Sequence, residues 1–465
     1  MDFDPVFLSR IQFGWVVALH ILLPAFTVGL ACYIATLEGL YLGTRNPVYL
    51  NLSKFWLRIF AVSFGLGVVS GVVMPFQFGT NWSRFSDATA NIIGPPLAYE
   101  GLTAFFLESG FLGVLLFGRK LVPAWTHFGA AVLVALGTFF SSFWILAVNS
   151  WMQTPTGYQV VDGRFLPTSW VDIIFNPSLP YRLTHTVNAF FITTAFVVIA
   201  VGAYHLRHGR YIEESRRMLS MTLWLVTVLV PLQIVLGDLH GVNTFEYQPA
   251  KVAAMEANWE TQSRMPAVLF AWPDEKAETN LYELSIPAIG SLYLTHSFDG
   301  VVKGLKDWPA EDRPPVAIVF FSFRAMVGIG LLMLALVIAS LWLRWRGRLY
   351  EARGFHLLCI WASPLGFLAV VSGWITTEVG RQPWVVYGLM RTRDGVSPSL
   401  TGHDVLASLA AYIVLYVIVF GAGLIIMLRL MRAGPVSAEP TTEDPSLRSN
   451  RPLGAVTQSA REPAQ

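Results

Sequence analysis

Apolar residues in this chain fall into long uninterrupted runs, not into the short alternating or amphipathic stretches of a soluble domain. Nine runs lie near 13–39, 57–78, 97–118, 124–149, 182–204, 219–239, 316–343, 356–378 and 404–430. Each reaches or exceeds the ~20 residues that a helix needs to cross the hydrocarbon core of a bilayer. Only helices and closed barrels satisfy every backbone group in that medium, and runs of this length suit helices. The pattern therefore predicts an all-α integral membrane protein, a bundle of about nine transmembrane helices.

The polar positions between the runs add orientation. Arg45, Lys54 and Arg58 mark one side, with Arg119 and Lys120, the cluster Arg207, Arg210, Arg216 and Arg217, the cluster Arg344, Arg346, Arg348 and Arg353, and Arg429 with Arg432. Short connections on the other side carry fewer basic residues. The excess of Lys and Arg marks the inner side, so the N-terminus is expected to be periplasmic and the C-terminus cytoplasmic. MDFDPVFLSR (1–10) lacks a basic signal region, so the first run is expected to be retained. One outer connection, 240–315, is long. Trp259, Phe270, Trp272 and Tyr282 favour a folded segment there, and KVAAMEANWETQ (251–262) reads as a short amphipathic helix. The tail 433–465 is rich in Pro, Ser, Glu and Arg without apolar period, and disorder is expected. The lack of an internal repeat weakens a heme-free transporter built on inverted repeats.

Composition sharpens this picture only slightly. Of 465 residues, 54% are hydrophobic and 13% charged, against about a quarter charged in soluble domains. A net charge of +2 gives no reason to expect a nucleic-acid partner. Cys32 and Cys359 both lie in apolar runs and have no metal-ligand spacing.

Candidate chemistry comes from polar groups inside the runs, where an ionisable side chain costs roughly 2.5–3.5 kcal/mol even on the lenient insertion scale. His20, His185, Met326 and Glu378 all fall in the outer half of their runs. Such a set inside a helical bundle suits axial ligation of heme iron. His185 with Met326 would fill both axial positions and give a low-spin electron carrier, with Arg324 placed to neutralise a propionate. His20 and Glu378, acting singly, would leave open iron. Taken alone, each has a plainer reading: an interhelical hydrogen bond for a histidine, core packing for the methionine, an ion pair with Arg381 for Glu378. Glu100 and Glu108, eight residues apart on one run, read as a proton relay or as buried acids bonded to hydroxyls. On one α-helix they lie about 12 Å apart and within roughly 80° in azimuth. Asn149, Trp151, Gln153 and QFGTNW (77–82) suit either a cofactor lining or an interfacial belt.

Several strings resemble subunit I of the cytochrome bd-type ubiquinol oxidases: FQFGTNW (76–82), AFFLES (104–109), NSWMQTPTGY (149–158), FSFRAM (321–326), and GRQPW (380–384) following Trp374 and Glu378. They run in consistent order from LSRIQFGW (8–15) to the ninth run. The resemblance implies the catalytic subunit of a terminal respiratory oxidase in the bacterial inner membrane. Such an enzyme takes electrons from quinol and reduces O2 to water without pumping. Residues 1–432 would form the heme-binding domain and 240–315 its quinol-binding loop. It implies low-spin heme b on His185 and Met326 with Arg324 beside it. A high-spin heme b and a heme d (or a further heme b) would sit on His20 and Glu378, in an order left open. Trp374 and Arg381 join the cofactor-binding residues, and Glu100 and Glu108 match acids at the oxygen-reducing centre. Lys251 and Glu256 match quinol-site residues. A second large membrane subunit, and a small single-helix one, are the implied partners, with membrane lipids around them. The compact outer loop places the chain with the short-loop branch, which includes cyanide-insensitive oxidases. Pro75 stands where many members carry an acid. The competing reading is a diheme electron carrier that oxidises quinol without reducing O2.

Overall fold

The computed structural model describes residues 3–435; the tail expected to be disordered lies outside the described residues from 436 onward. Among the described residues nine helical segments are long and apolar enough to span a membrane: Pro5–Thr44, Pro47–Thr80, Ser83–Lys120, Ala124–Gln153, Leu179–Arg207, Ile212–Tyr247, Ala310–Trp345, Arg353–Val379 and Gly402–Ala433. They coincide with the nine apolar runs and are called the first to ninth spans below.

The fifth span is the central post. Its most apolar window is 83% buried, against 11% for the ninth, which borders the bundle. Small residues explain the difference. A Cβ on Gly29 of the first span would lie 2.5 Å from Oγ1 of Thr194, and one on Gly366 of the eighth would lie 2.6 Å from Cα of Thr193. With no hydrophobic drive between helices in lipid, such close backbone approach is what holds them together. Thr194 adds a hydrogen bond to the carbonyl of Phe26 at 2.8 Å.

Two spans are irregular where candidate residues lie. The first is broken into Pro5–Leu22 and Pro24–Thr44, because Pro24 offers no N–H and cannot continue the ladder. His20 lies in the last turn before that break. The third carries Pro95 and Pro96, then a wide π turn over Glu100–Phe105 in which the Phe106 N–H reaches back to Gly101. The expectation of a regular α-helix from Glu100 to Glu108 is therefore corrected: the wide turn alters their relative azimuth.

At the end away from the long loop, Glu38 is buried and accepts from Ser53 and Arg119, with His127 Nδ1 at 3.3 Å, tying four spans together. At the other end lies the folded loop. The sixth helix runs on to Tyr247, about two turns past the boundary expected at 240, because Asn243 is held by Pro177 O and Ser178. The helix expected at 251–262 is Pro249–Glu256, stopped by Ala257 in the left-handed conformation. A hairpin pairs Ala267–Asp274 with Thr279–Ile286, and Ile289–Thr295 forms a last helix. A second hairpin, Tyr158–Val161 with Arg164–Pro167, turns on Asp162-Gly163, both at positive φ as a two-residue turn of this kind requires.

Candidate active site

The loop helix Pro249–Glu256 is wedged against the sixth and seventh spans, and its two candidate residues are buried: Lys251 is 2% exposed and Glu256 1%. They turn to different partners. Lys251 Nζ donates to Gln153 Oε1 at 2.7 Å, and the amide of Gln248 beside it donates to the Gln153 carbonyl at 2.9 Å. Burial, reinforced by nearby Arg182, holds the Lys251 ammonium well below its usual pKa range. Glu256 accepts from Arg324 at 2.5 Å, while Arg324 Nε donates to the carbonyl of Val268 at 2.7 Å. The guanidinium also lies over the rings of Phe320 and Phe323, 4.8 and 5.2 Å from their centroids. Arg324, expected beside a propionate, is thus engaged by the loop. Tyr293 of the loop helix Ile289–Thr295 is half-buried against the same pair, and desolvation with the Glu256 carboxylate raises its phenol far above the ordinary value.

Glu378 lies one residue before the end of the eighth span. It accepts from Arg381, from Asn149 Nδ2 at 2.8 Å and from Gln153 Nε2 at 3.2 Å. Asn149 and Gln153 are four apart on the fourth span and share a face. Gln153 therefore joins Glu378 to Lys251 through one amide. Trp374, one turn before Glu378 on its helix, is half-buried.

His185 lies in the fifth span with its edge against His240, ring centroids 5.5 Å apart at 64°. His240 was expected in a connecting loop; the longer sixth helix carries it into the bundle beside His185. Arg182, one turn earlier on the fifth span, is also buried, at 5% exposure. Both were missed. Arg182 sits at the edge of its apolar run and reads as a flanking charge, and the run containing His240 ends by hydropathy at 239. An Arg facing the bundle interior is the signal that would have flagged the first. Met326 Sδ lies 2.8 Å from where a Cβ on Gly373 would stand, so the methionine fits between the seventh and eighth spans only because that position is glycine.

His20 Nδ1 is hydrogen-bonded to Ser70 Oγ at 2.8 Å, and Ser70 also faces the carbonyls of Leu66 and Gly67. Glu100 accepts from Ser141 Oγ at 2.8 Å. Glu108 packs on Gly137, where a Cβ would meet its Cγ at 2.5 Å. Both acids thus face the fourth span, one turn apart on it. Among the described residues no three His, Cys, Asp or Glu side chains gather as a bare-metal site.

Several buried polar atoms have no protein partner: His185 Nδ1, both amide atoms of Gln77, Trp15 Nε1, Ser150 Oγ, and Nε of Arg182 and Arg381. Such orphans are rare in a finished interior. A bundle with unanswered polar atoms and two buried cationic side chains, with His185 packed on Gly237 and Met326 on Gly373, suits an anionic group such as heme.

Residues 8–435 match the family described as cytochrome bd terminal oxidase subunit I. The chain belongs to that family. It is 35% identical to the cytochrome bd ubiquinol oxidase subunit 1 of Bacillus subtilis over 94% of this chain and 97% of that one. It is 32% identical to the cytochrome bd-II ubiquinol oxidase subunit 1 of Escherichia coli, over 95% and 99%. The structure of bd oxidase from Geobacillus thermodenitrificans superposes with a TM-score of 0.86 at 30% identity, covering 93% of this chain and all of that one. As a cytochrome bd oxidase subunit I with nine spanning helices, the chain is a multi-pass bacterial membrane protein and an oxidoreductase.

Proposed function

We propose that this chain is the catalytic subunit of a terminal oxidase that oxidises quinol at its loop end and reduces O2 to water inside the bundle. The observation that carries the reading is the buried line from Lys251 through Gln153 to Glu378 and Arg381, which connects the loop to the interior. The names of the relatives, ubiquinol oxidases, support it.

His185 and Met326 would hold a low-spin heme b, and His20 and Glu378 a high-spin heme b and a heme d or third heme b, with Arg381 and Trp374 beside them. Bound heme supplies one-electron transfer and, where a position is open, O2 binding. The protein does the rest. Glu256, held by Arg324, accepts a quinol proton, and Lys251 steadies the anion that remains. The burial of both keeps bulk water from the reacting oxygens. Glu100 and Glu108 hold protons along the face of the fourth span for the reduction centre. Taking substrate protons from the side opposite the loop, while quinol protons leave at the loop, separates charge without pumping. Each charge so moved is worth about 2.3 kcal/mol per 100 mV. A second large subunit, and a small single-helix subunit, would complete the enzyme and cover the inner proton entry.

The test is direct. The purified complex should show b-type bands in a reduced-minus-oxidised spectrum, consume O2 with quinol, and bind carbon monoxide when reduced. Failure to bind carbon monoxide with quinol oxidation intact would instead identify an electron carrier.

A further inference from the structure

A cleft of about 230 Å³ opens at the loop end of the bundle, bordered by Gln382, which donates to the Glu378 carbonyl at 3.3 Å. Four guanidinium groups line it: Arg10 of the first span, Arg313 at the start of the seventh, and Arg391 and Arg393 beyond the eighth. Thr392 adds a hydroxyl, and Glu311 is the single carboxylate among the lining residues. Three distant stretches of sequence therefore bring four guanidinium groups to one place, each with a carboxylate nearby.

Two of the four are fixed by neighbours. Arg313 donates to Glu278 at 2.6 Å and to the carbonyl of Trp308 at 2.8 Å. Arg391 donates to Asp312 at 2.5 Å and stacks over Trp384, 4.9 Å from its ring centroid. The other two are not neutralised in this way. Arg10 has no carboxylate within 4.0 Å among the described residues, and the carboxylate nearest Arg393, Asp394, is 3.8 Å away, beyond hydrogen-bond reach. The cleft thus holds two arginines hydrogen-bonded to carboxylates and two, Arg10 near Asp4 and Arg393 near Asp394, whose carboxylate neighbours lie beyond hydrogen-bond reach.

We propose that this cleft is a binding site for a phosphate group. Guanidinium groups bind phosphate oxygens in paired, charge-assisted hydrogen bonds, and pre-positioned arginines lose little freedom in doing so. The volume is below the roughly 300 Å³ at which drug-sized ligand pockets begin, so it suits a small anion or a headgroup and not a quinone ring system. Arg10 lies in the second turn of a membrane span, which puts the cleft near the level of lipid headgroups. Val6 and Pro315 give it an apolar wall on which the first carbons of a lipid can rest. An anionic phospholipid and free inorganic phosphate share this chemistry.

The experiment uses the complete oxidase complex, stripped of anionic lipid in neutral detergent. Phosphatidylglycerol and, as control, phosphatidylcholine are titrated, and lipid bound per complex is counted by native mass spectrometry. The wild type is expected to retain one phosphatidylglycerol in preference to phosphatidylcholine. Arg10→Gln with Arg393→Gln should weaken that binding about tenfold, with heme spectra and quinol oxidation unchanged. Arg393→Gln alone, at a side chain 70% exposed, should weaken it about threefold and guards against misfolding of the double variant. If millimolar inorganic phosphate displaces the lipid, free phosphate is a ligand of the same site; if it does not, the lipid is the source. Phosphatidylglycerol binding that is the same in wild type and both variants, with no effect of phosphate, would overturn the assignment.

Discussion

Nζ of Lys251 donates to Oε1 of Gln153 across 2.7 Å. The same side chain, through Nε2, donates to Glu378 at 3.2 Å. One amide therefore orients a loop ammonium and an interior carboxylate together. Replacing Gln153 by Leu leaves Lys251 buried without a partner, at a cost of about 1–3 kcal/mol. Quinol-driven O2 consumption should fall at least about tenfold, one decade being ~1.4 kcal/mol of barrier, while the low-spin heme spectrum stays intact. Wild-type turnover in that variant would show the bridge to be idle.

The depressed pKa of Lys251 makes a pH prediction. In the interval between its lowered folded value and the usual lysine value, the unfolded chain binds a proton that the folded chain lacks. Stability therefore rises with pH across that interval, and burying the ammonium is costliest below it. Lys251→Met removes the effect. The melting temperature of wild type minus that of Lys251→Met should increase from about pH 6 to about pH 9, toward the usual lysine pKa. A difference that stays flat or falls would place the ammonium in a better-solvated setting.

Buried Glu256 pairs with half-buried Arg324, and removing the arginine strands the carboxylate. Either Glu256→Gln or Arg324→Gln should destabilise the complex by about 3–5 kcal/mol, and the double variant by less than the sum. Chemical denaturation of the three variants measures the coupling. Strict additivity would argue that the ion pair contributes little.

Glycines test the ligand assignments without touching a ligand. A methyl on Gly373 would stand 2.8 Å from Met326 Sδ, so Gly373→Ala should displace the sulfur. The expected sign is a lowered or shifted low-spin b band, read in the reduced spectrum. An unaltered band would count against Met326 as a ligand.

In the same way Gly137→Ala would press its methyl on Glu108 Cγ at 2.5 Å. The expected result is slower O2 reduction at full heme content, with the quinol KM unchanged. Loss of heme instead would mean that Glu108 supports the cofactor and not the proton supply.

Much of this was readable before any coordinates. Hydropathy alone locates nine spans, because a bilayer leaves a polar break nowhere to hide. The candidates His20, His185, Met326 and Glu378 stand out since ionisable or soft groups are scarce in apolar runs. What sequence does not carry is which of them share a neighbour. Gln153 had two open readings at an interface, and only the approach of the loop helix makes it a bridge. His240 fell outside a run whose boundary is a matter of hydropathy, whereas the helix itself is prolonged by Asn243, which donates to the Pro177 carbonyl and accepts from the Ser178 hydroxyl. Arg324 was assigned to a propionate by nearness in sequence to Met326; Glu256, 68 positions away, meets it in space. The wide turn at Glu100 depends on prolines acting through backbone geometry and leaves no periodic trace.

The enclosed position of the fifth span has a consequence for biogenesis. A ribosome delivers four helices before the one around which they gather. Until Thr193 and Thr194 arrive, the notch at Gly29 has only lipid to face, and the notch at Gly366 is not yet made. The first four spans, already tied to one another through Glu38, must therefore keep the notch at Gly29 open until the fifth arrives, and the bundle closes late.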